Sequence, residues 1–546
     1  MRRHWLLSGV CVTLAIAAAL SAPLRFQSDR AVSVNLECDV CKTGVALARR
    51  LLDEGKNSLV PEPMFMYALD HVYLDPDDVC GQYLGAGCSN ASIPQFDYFW
   101  NISLPPNPKP PVKPILPPKS GAPRLRILHL SDVHIDVLYS VGASADCGLP
   151  TCCRRSDGMP PSSKRRAAYW GDYNCDLPWW TADNSFKQIA RDRQWEDTAP
   201  LDHSIGHPVT IKLINFHQVQ YKTCTRRSPV DAALEQFDLI YFTGDLPDHH
   251  VWEQTRQEEI ALYSGFTQLV QKYFPGVPLV VAMGNHESVP VNSFPPRYIM
   301  GNDSMDWLYT KVWQLLSPWI PADQKANVLG GGYYTHLLRP GLRVVSLNMN
   351  YGGDLNWWLL GNLTDPDGQY QWFIDVLQRA EDSGEKVHVL GHIPPNGVIK
   401  GYSWNYFKIA ERYESTIAGH FFGHTHLDNF AVMLDPANQT RARAFGTIYV
   451  SGSLKTSQNP SYRIYEVDGN YSGASFQVLS YSNYIFNLTE ANLAGQGREP
   501  VWFLEYNTTS AYGMQFAFPQ SWADLVRRFE SDDSLFQKFY RRFTTS

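Results

Sequence analysis

Seven short apolar runs punctuate the middle of the chain, separated by longer mixed segments. They are "RLRILHLSDVH", "FDLIYFTGD", "VPLVVAMGNHE", "GLRVVSLNMN", "EKVHVLGHIP", "IAGHFFGHTH" and "TIYVSGS". Nearly continuous hydrophobicity, rather than alternation, predicts strands buried on both faces, as in layered α/β sheets. Most of the runs end in Gly, Asp, Asn or His, and sites in open α/β sheets collect at strand ends. Ahead of them, residues 36–90 carry helical periodicity in "KTGVALARRLLDEG" and "PMFMYALDHVY". Residues 91–123 contain "SLPPNPKPPVKPILPPKSGAP", where proline density predicts an extended, semi-rigid spacer. From about Ser461 a β-rich stretch leads into "QSWADLVRRFESDDSLFQKFYRRFTTS". There Trp522, Leu525, Phe529, Leu535 and Phe539 fall at helical core spacing and predict packing against the main domain. The division expected is thus 36–90, a spacer over 91–123, a main domain over 124–460, and a C-terminal region over 461–546.

The start of the chain, "MRRHWLLSGVCVTLAIAAALSA" (residues 1–22), reads as a secretory signal, with Arg2 and Arg3 before an apolar run and small residues at its end. The run is shorter than the ~20 residues a bilayer span needs, and no later stretch is apolar enough to span. A secretory route predicts disulfides and glycans. N-x-S/T sequons stand at Asn90, Asn101, Asn302, Asn362, Asn438, Asn470, Asn487 and Asn507. Cys38 and Cys41, followed by Cys80 and Cys88, suit a nested pair of bridges; Cys147, Cys152, Cys153 and Cys175 form a second local cluster, and Cys224 is left over. A net charge of −7 points to no nucleic-acid partner. Sixteen Trp and 29 Tyr suit an aromatic-lined cleft and a large core equally.

The chemistry lies in five polar strand ends: Asp132-x-His134, Gly244-Asp245, Gly284-Asn285-His286-Glu287, Gly391-His392 and Gly423-His424-x-His426. Singly each is weak, since a D-x-H triplet is usually a surface turn. Five in succession behind apolar strands are hard to obtain by chance. On an extended segment residues i and i+2 face the same way, so His424 and His426 can converge. Asp132, His134 and His426 could hold one divalent ion and Asn285, His392 and His424 a second, with Asp245 bridging through its two oxygens. Mixed nitrogen and oxygen donors suit zinc, manganese or iron better than magnesium. Paired ions polarise a phosphoryl group and lower the pKa of a shared water. Glycine before the ligands at Asp245, Asn285, His392 and His424 is expected to leave room for substrate against the backbone.

The order D-x-H, G-D, G-N-H-E, G-H, G-H-x-H resembles the calcineurin-like metallophosphoesterases over residues 124–460. With "CCRR", "YWGDYNCDLP", "TGDLPDHHVWEQTRQ", "GHIPP" and the cysteine-bearing N-terminal module, the chain is similar to the acid sphingomyelinase family. The resemblance implies an α/β fold: a layered β-sandwich flanked by helices, a small all-α saposin-like N-terminal domain and a mostly helical C-terminal region. It implies two zinc ions on the seven ligands and attack on phosphorus by an activated hydroxide. Sphingomyelin at the bilayer surface would be cleaved to ceramide and phosphocholine by a secreted or lysosomal monomer. His249 and His286 then match residues that stabilise the transition state or protonate the leaving alkoxide. His250 stands where the family pattern has an Asp. Glu287 is expected as a hydrogen-bonding partner, and His388 and His420 as satisfied core histidines.

The chain also departs from that pattern. Its saposin-like region has four cysteines instead of six, and Cys38–Cys88 with Cys41–Cys80 fit the outer bridges. Residues 191–225 have no family counterpart. The family's C-terminal cysteines and one pair in the catalytic domain are absent. The shortened module leaves a second reading, a related phosphodiesterase acting on nucleotides or other soluble phosphodiesters.

Overall fold

The computed structural model describes Cys38, Cys41, Lys42, Val45, Ala46, Ala68 and residues 75–84, 88–89, 93–160, 164–191, 237–435 and 443–545. The expectations for residues 1–22, most of 36–90, residues 192–225 with Cys224, and Asn90 and Asn438 lie outside the described residues.

The apolar runs form the parallel strands of two six-stranded sheets, with the run "VPLVVAMGNHE" at an edge. The first contains β1 (Arg124–Leu130), β4 (Leu239–Phe242), β5 (Leu279–Val281), β12 (Ser461–Asp468), β13 (Val478–Phe486) and β14 (Trp502–Asn507), in the order β14-β13-β12-β1-β4-β5. The second contains β6 (Tyr334–Arg339), β7 (Leu342–Ser346), β8 (Lys386–Leu390), β9 (Ile417–Phe422), β10 (Asn429–Leu434) and β11 (Ala444–Val450), in the order β10-β11-β9-β8-β7-β6. Within each, the continuous runs pair in parallel: β1 with β4 with β5, and β7 with β8 with β9 with β11. The remaining pairings are antiparallel. Parallel strands need cover on both faces. Here each sheet covers the other, and Phe421 packs on Tyr241 and Tyr465 between them, with ring centroids 5.1 and 5.0 Å apart.

A short parallel pair, β2 (Ile135–Asp136) and β3 (Leu177–Pro178), lies outside the sandwich. Helices α1 (Trp179–Arg191), α2 (Arg256–Tyr273), α3 (Gln369–Asp382) and α4 (Lys400–Arg412) follow in chain order. The β-rich start of the C-terminal region is built into the first sheet, because β12 pairs with β1 over six residue positions. Its helical end, α5 (Pro519–Phe529) and α6 (Asp533–Thr545), packs against the second sheet: Trp522 is fully buried, and Phe430 lies 4.3 Å from it and 5.6 Å from Phe539.

The Pro-rich spacer is strapped down rather than free. Asn405 on α4 accepts the Ile102 amide at 2.8 Å and donates to the Trp100 carbonyl at 2.9 Å. Lys109 pairs with Glu411 and Glu414, the latter at 2.6 Å. Proline removes backbone donors, so the strap is held through the amides and carbonyls between prolines and through side chains. Among the described residues four disulfides are formed: Cys38–Cys88, Cys41–Cys80, Cys147–Cys152 and Cys153–Cys175. Among the sequons, Asn101, Asn302, Asn362 and Asn470 are exposed. Asn487 and Asn507 are half-buried helix caps that accept from Glu490 and Thr509 amides.

Candidate active site

All five polar motifs follow the C-terminal ends of strands, three in the first sheet (β1, β4, β5) and two in the second (β8, β9). The sandwich therefore brings ligand loops from both sheets to one edge. His392 donates from Nδ1 to the Thr243 carbonyl across the gap at 2.7 Å, and the Gly423 amide donates to the His392 carbonyl at 3.0 Å.

Two groups of donor atoms result. In the first, His134 Nε2 lies 3.0 Å from His426 Nε2, and Asp132 Oδ1 lies 3.4 Å from His426 Nε2. In the second, His392 Nε2 lies 3.0 Å from Asn285 Oδ1 and 3.2 Å from His424 Nδ1, while His424 Nδ1 and Asn285 Oδ1 are 2.9 Å apart. Asp245 joins them, but through one oxygen rather than two. Its Oδ2 is 3.1 Å from His392 Nε2 and 3.6 Å from His134 Nε2, whereas Oδ1 accepts the His286 amide at 3.0 Å.

His424 and His426 do not converge by strand alternation. Strand β9 ends at Phe422, and both histidines have positive φ, 72° and 60°. Left-handed turns aim them, and they part: His424 joins the second group and His426 the first. Asp132, His134 and Asp245 share this backbone, so five of the eleven non-glycine residues with positive φ among those described are candidate ligands. Each such conformation costs roughly 1–3 kcal/mol and persists where surrounding structure enforces it. The glycines serve that enforcement rather than substrate access. A Cβ on Gly423 would sit 2.1 Å from Ser131 Oγ, and one on Gly284 would sit 2.1 Å from Asp245 Oδ1. They let ligand loops press against one another.

The donors are held from behind. His134 donates from Nδ1 to the Pro247 carbonyl at 2.7 Å, leaving Nε2 with its lone pair turned inward, as His392 does through Thr243. Asp132 accepts the His424 amide at 3.0 Å and the Ser131 hydroxyl. Ser131 in turn accepts from Thr243 at 2.6 Å, and Thr243 meets His129 at 2.9 Å. Burial holds His134 and His426 well below the usual histidine range and His424 down at about 3, so these rings are neutral donors. Burial pushes Asp132 up to about 7. Burial also opposes charge on His392, yet the adjacent Asp245 overrides it and raises the ring to about 9; the same contact holds Asp245 well below the carboxylate range. Neutral nitrogens and ionisable carboxylates facing each other at 3–4 Å are mutually unfavourable unless positive charge lies among them. The set of four imidazoles, one amide oxygen and the carboxylates of Asp132 and Asp245 fits two borderline divalent cations.

Beside the first group stand His249 and His286, with ring centroids 4.0 and 4.9 Å from His134. His286 donates from Nδ1 to the Asp248 carbonyl at 3.0 Å, and burial lowers its pKa to about 4. His249 is held at two points by Asp176, ring Nδ1 to Oδ1 and backbone amide to Oδ2, both at 2.8 Å. The Lys455 ammonium is 3.1 Å from the same Oδ1 and 3.0 Å from His249 Nδ1. Burial would raise the Asp176 pKa, but Lys455 and His249 hold it well below the usual value.

Asp176 and Lys455 escaped the sequence reading. Asp176 reaches the site because the Leu177 amide donates to the His134 carbonyl at 2.9 Å and Cys153 bridges Cys175. Those are non-local pairings that one local motif does not announce. Its position beside a cysteine in "NCDLP" was the available signal. Glu287 accepts the Leu246 amide and the Tyr263 hydroxyl, both at 3.1 Å. His388 meets Tyr241 at 2.8 Å and the Phe476 carbonyl at 2.7 Å, and His420 meets Tyr406 at 2.7 Å, all in the core.

A calcineurin-like phosphoesterase family profile matches residues 125–428, and an acid sphingomyelin phosphodiesterase C-terminal region matches residues 442–546. Sphingomyelin phosphodiesterases of Bos taurus and Homo sapiens are 42% and 43% identical over 86% of this chain, which spans 67% of their length. Sphingomyelin phosphodiesterase 2 of Caenorhabditis elegans is 35% identical over 88% of this chain and 74% of its own. The chain therefore belongs to the calcineurin-like phosphoesterases and, within them, to the sphingomyelin phosphodiesterase family.

Proposed function

We propose that this chain hydrolyses the phosphodiester of sphingomyelin to ceramide and phosphocholine at a centre of two divalent cations. The observation that carries the reading is the pair of donor groups meeting at Asp245 Oδ2, in a chain whose relatives bear that activity in their names. Asp132, His134 and His426 would hold one cation, Asn285, His392 and His424 the other, and Asp245 both; zinc suits these donors best. When bound, such a pair supplies charge stabilisation for the phosphoryl group and an acidified water.

The remaining work falls to the chain's own side chains. A leaving alkoxide needs a proton, and His249 is the residue placed to give it. An ionised Asp176 lies 2.8 Å from its Nδ1 and, by accepting Nδ1–H, orients the ring. His286 has only a carbonyl behind Nδ1 and stays neutral, so it serves as a polar wall beside His249. Lys455 keeps Asp176 ionised and balances its charge.

Four disulfides support an oxidising compartment, and we place the protein outside the cell or in the lysosome. No helix of the described residues is long and apolar enough to cross a membrane. The test is an acid-pH assay on sphingomyelin liposomes and, separately, on bis(4-nitrophenyl) phosphate, each with and without chelator. Chelator-sensitive release of phosphocholine is expected; hydrolysis of the soluble ester alone would move the reading to nucleotides and other soluble phosphodiesters.

A further inference from the structure

Between β2 and β3 the chain makes a separate excursion, beginning three residues after His134. It is a rigid frame. Cys147–Cys152 and Cys153–Cys175 staple it, and backbone bonds join its arms: Ser140 to Cys153 at 2.7 Å, Gly142 to Ala167 at 2.8 Å and Ser144 to Gly158 at 2.9 Å. On this frame Val137, Leu138, Val141, Leu149 and Met159 are each 47–62% exposed. Leu138 is tied to the end of β2 by its amide, which donates to the Asp136 carboxylate at 2.8 Å. Met159 lies over Gly142, where an added Cβ would meet its methyl at 3.3 Å. Trp252, three residues beyond His249, is 36% exposed, and its neighbour Glu253 pairs with Arg154 of the same frame at 2.8 Å.

Exposed aliphatic side chains cost solubility and gain nothing in water, and here they are held on stapled turns that cannot fold them away. Exposed cations outnumber exposed carboxylates on the excursion itself, while Val137 and Leu138 also border Glu253 and Glu258. Arg155, Lys164 and Arg166 are exposed, and among the described residues of the excursion Asp146 is the only exposed carboxylate. Aliphatic tips on separate turns, interspersed with cations and adjoining a phosphodiesterase site, have the polarity and charge that one kind of surface accepts. They suit a bilayer bearing anionic headgroups.

We propose that this excursion is a membrane-docking surface that seats the catalytic mouth on a bilayer containing anionic lipid. It rests on the lipid reading above and adds, beside the catalytic mouth itself, a means of presenting a headgroup ester to His249 and His426. Each aliphatic tip reaching the acyl boundary adds affinity in proportion to the apolar area removed from water, and each cation adds an electrostatic share that salt screens.

The experiment uses the full chain and two variants, Leu138→Ser/Leu149→Ser/Met159→Ser and Lys164→Glu/Arg166→Glu. Flotation with sphingomyelin/phosphatidylcholine vesicles, with and without phosphatidylserine, reads binding. Turnover is read on those vesicles, on sphingomyelin in detergent micelles and on bis(4-nitrophenyl) phosphate. The serine variant should lose vesicle binding and vesicle turnover by about tenfold or more while keeping micellar and soluble turnover. The charge variant should lose only the gain that phosphatidylserine gives. Unchanged vesicle binding in both variants overturns the proposal. So does a serine variant that changes oligomeric state, by light scattering, with vesicle binding intact, since a second copy would then be the occupant. A wild type that floats with vesicles but leaves micellar sphingomyelin intact would support docking and count against the function reading instead.

Discussion

The first donor group, around Asp132, His134 and His426, lies against a layer of acid–base residues, whereas the second, around Asn285, His392 and His424, is backed mainly by main chain. Over the first stand His249, His286, Asp176 and Lys455. Behind the second is the Thr243 carbonyl. The same residue types thus build two different halves. One half has donor atoms backed by a carbonyl; the other has donor atoms beside the His249–Asp176–Lys455 group, to which the proposed proton donor belongs.

That asymmetry is open to a graded set of tests. The largest effect should come from Asp245→Asn, which weakens both halves at once. Turnover should fall by at least about a thousandfold, and bound metal, read by elemental analysis, should fall with it. Next is His249→Asn, which should lower kcat by about 10²–10⁴-fold while leaving metal content and KM near their wild-type values. If it removed metal instead, His249 would be a ligand and the two halves would not differ as described. Asp176→Asn should cost less, roughly 10–100-fold, and should distort the pH–rate profile because the hydrogen-bond partner of His249 is no longer charged.

The smallest effect concerns stability and lies outside both halves. His420 is buried, and burial lowers its pKa to about 3, with His388 lowered to about 4. Between those values and the ordinary 6.5 the unfolded chain binds protons that the native chain does not. Native stability from these two groups is therefore lost as pH falls through that window. His420→Gln should make the fall of Tm between pH 6.5 and 4 shallower, as read by thermal melts, without altering turnover at pH 6.5.

Much of the fold was legible because burial on both faces leaves an unmistakable mark: every apolar run named from the sequence is a strand centre. The candidate ligand positions were legible because each stands just past such a run. Their mode of convergence was not. His424 and His426 belong to left-handed turns, and nothing in "GHTH" separates a strand continuation from two positive-φ residues. The glycines looked like space for substrate, yet Ser131 and Asp245 fill that space, because close approach is a tertiary property. Asp176 and Lys455 lie 73 and 206 residues from His249, and only the pairing of β2 with β3 and the return of the chain after β11 bring them in.

The central claim is that seven side chains form two cation sites sharing one carboxylate. Elemental analysis of the metal-reconstituted protein, beside His424→Ala and His426→Ala, tests it most directly. Two equivalents in the wild type, with each variant retaining one, is the expected result. A single equivalent in the wild type, or one variant keeping both, would contradict it.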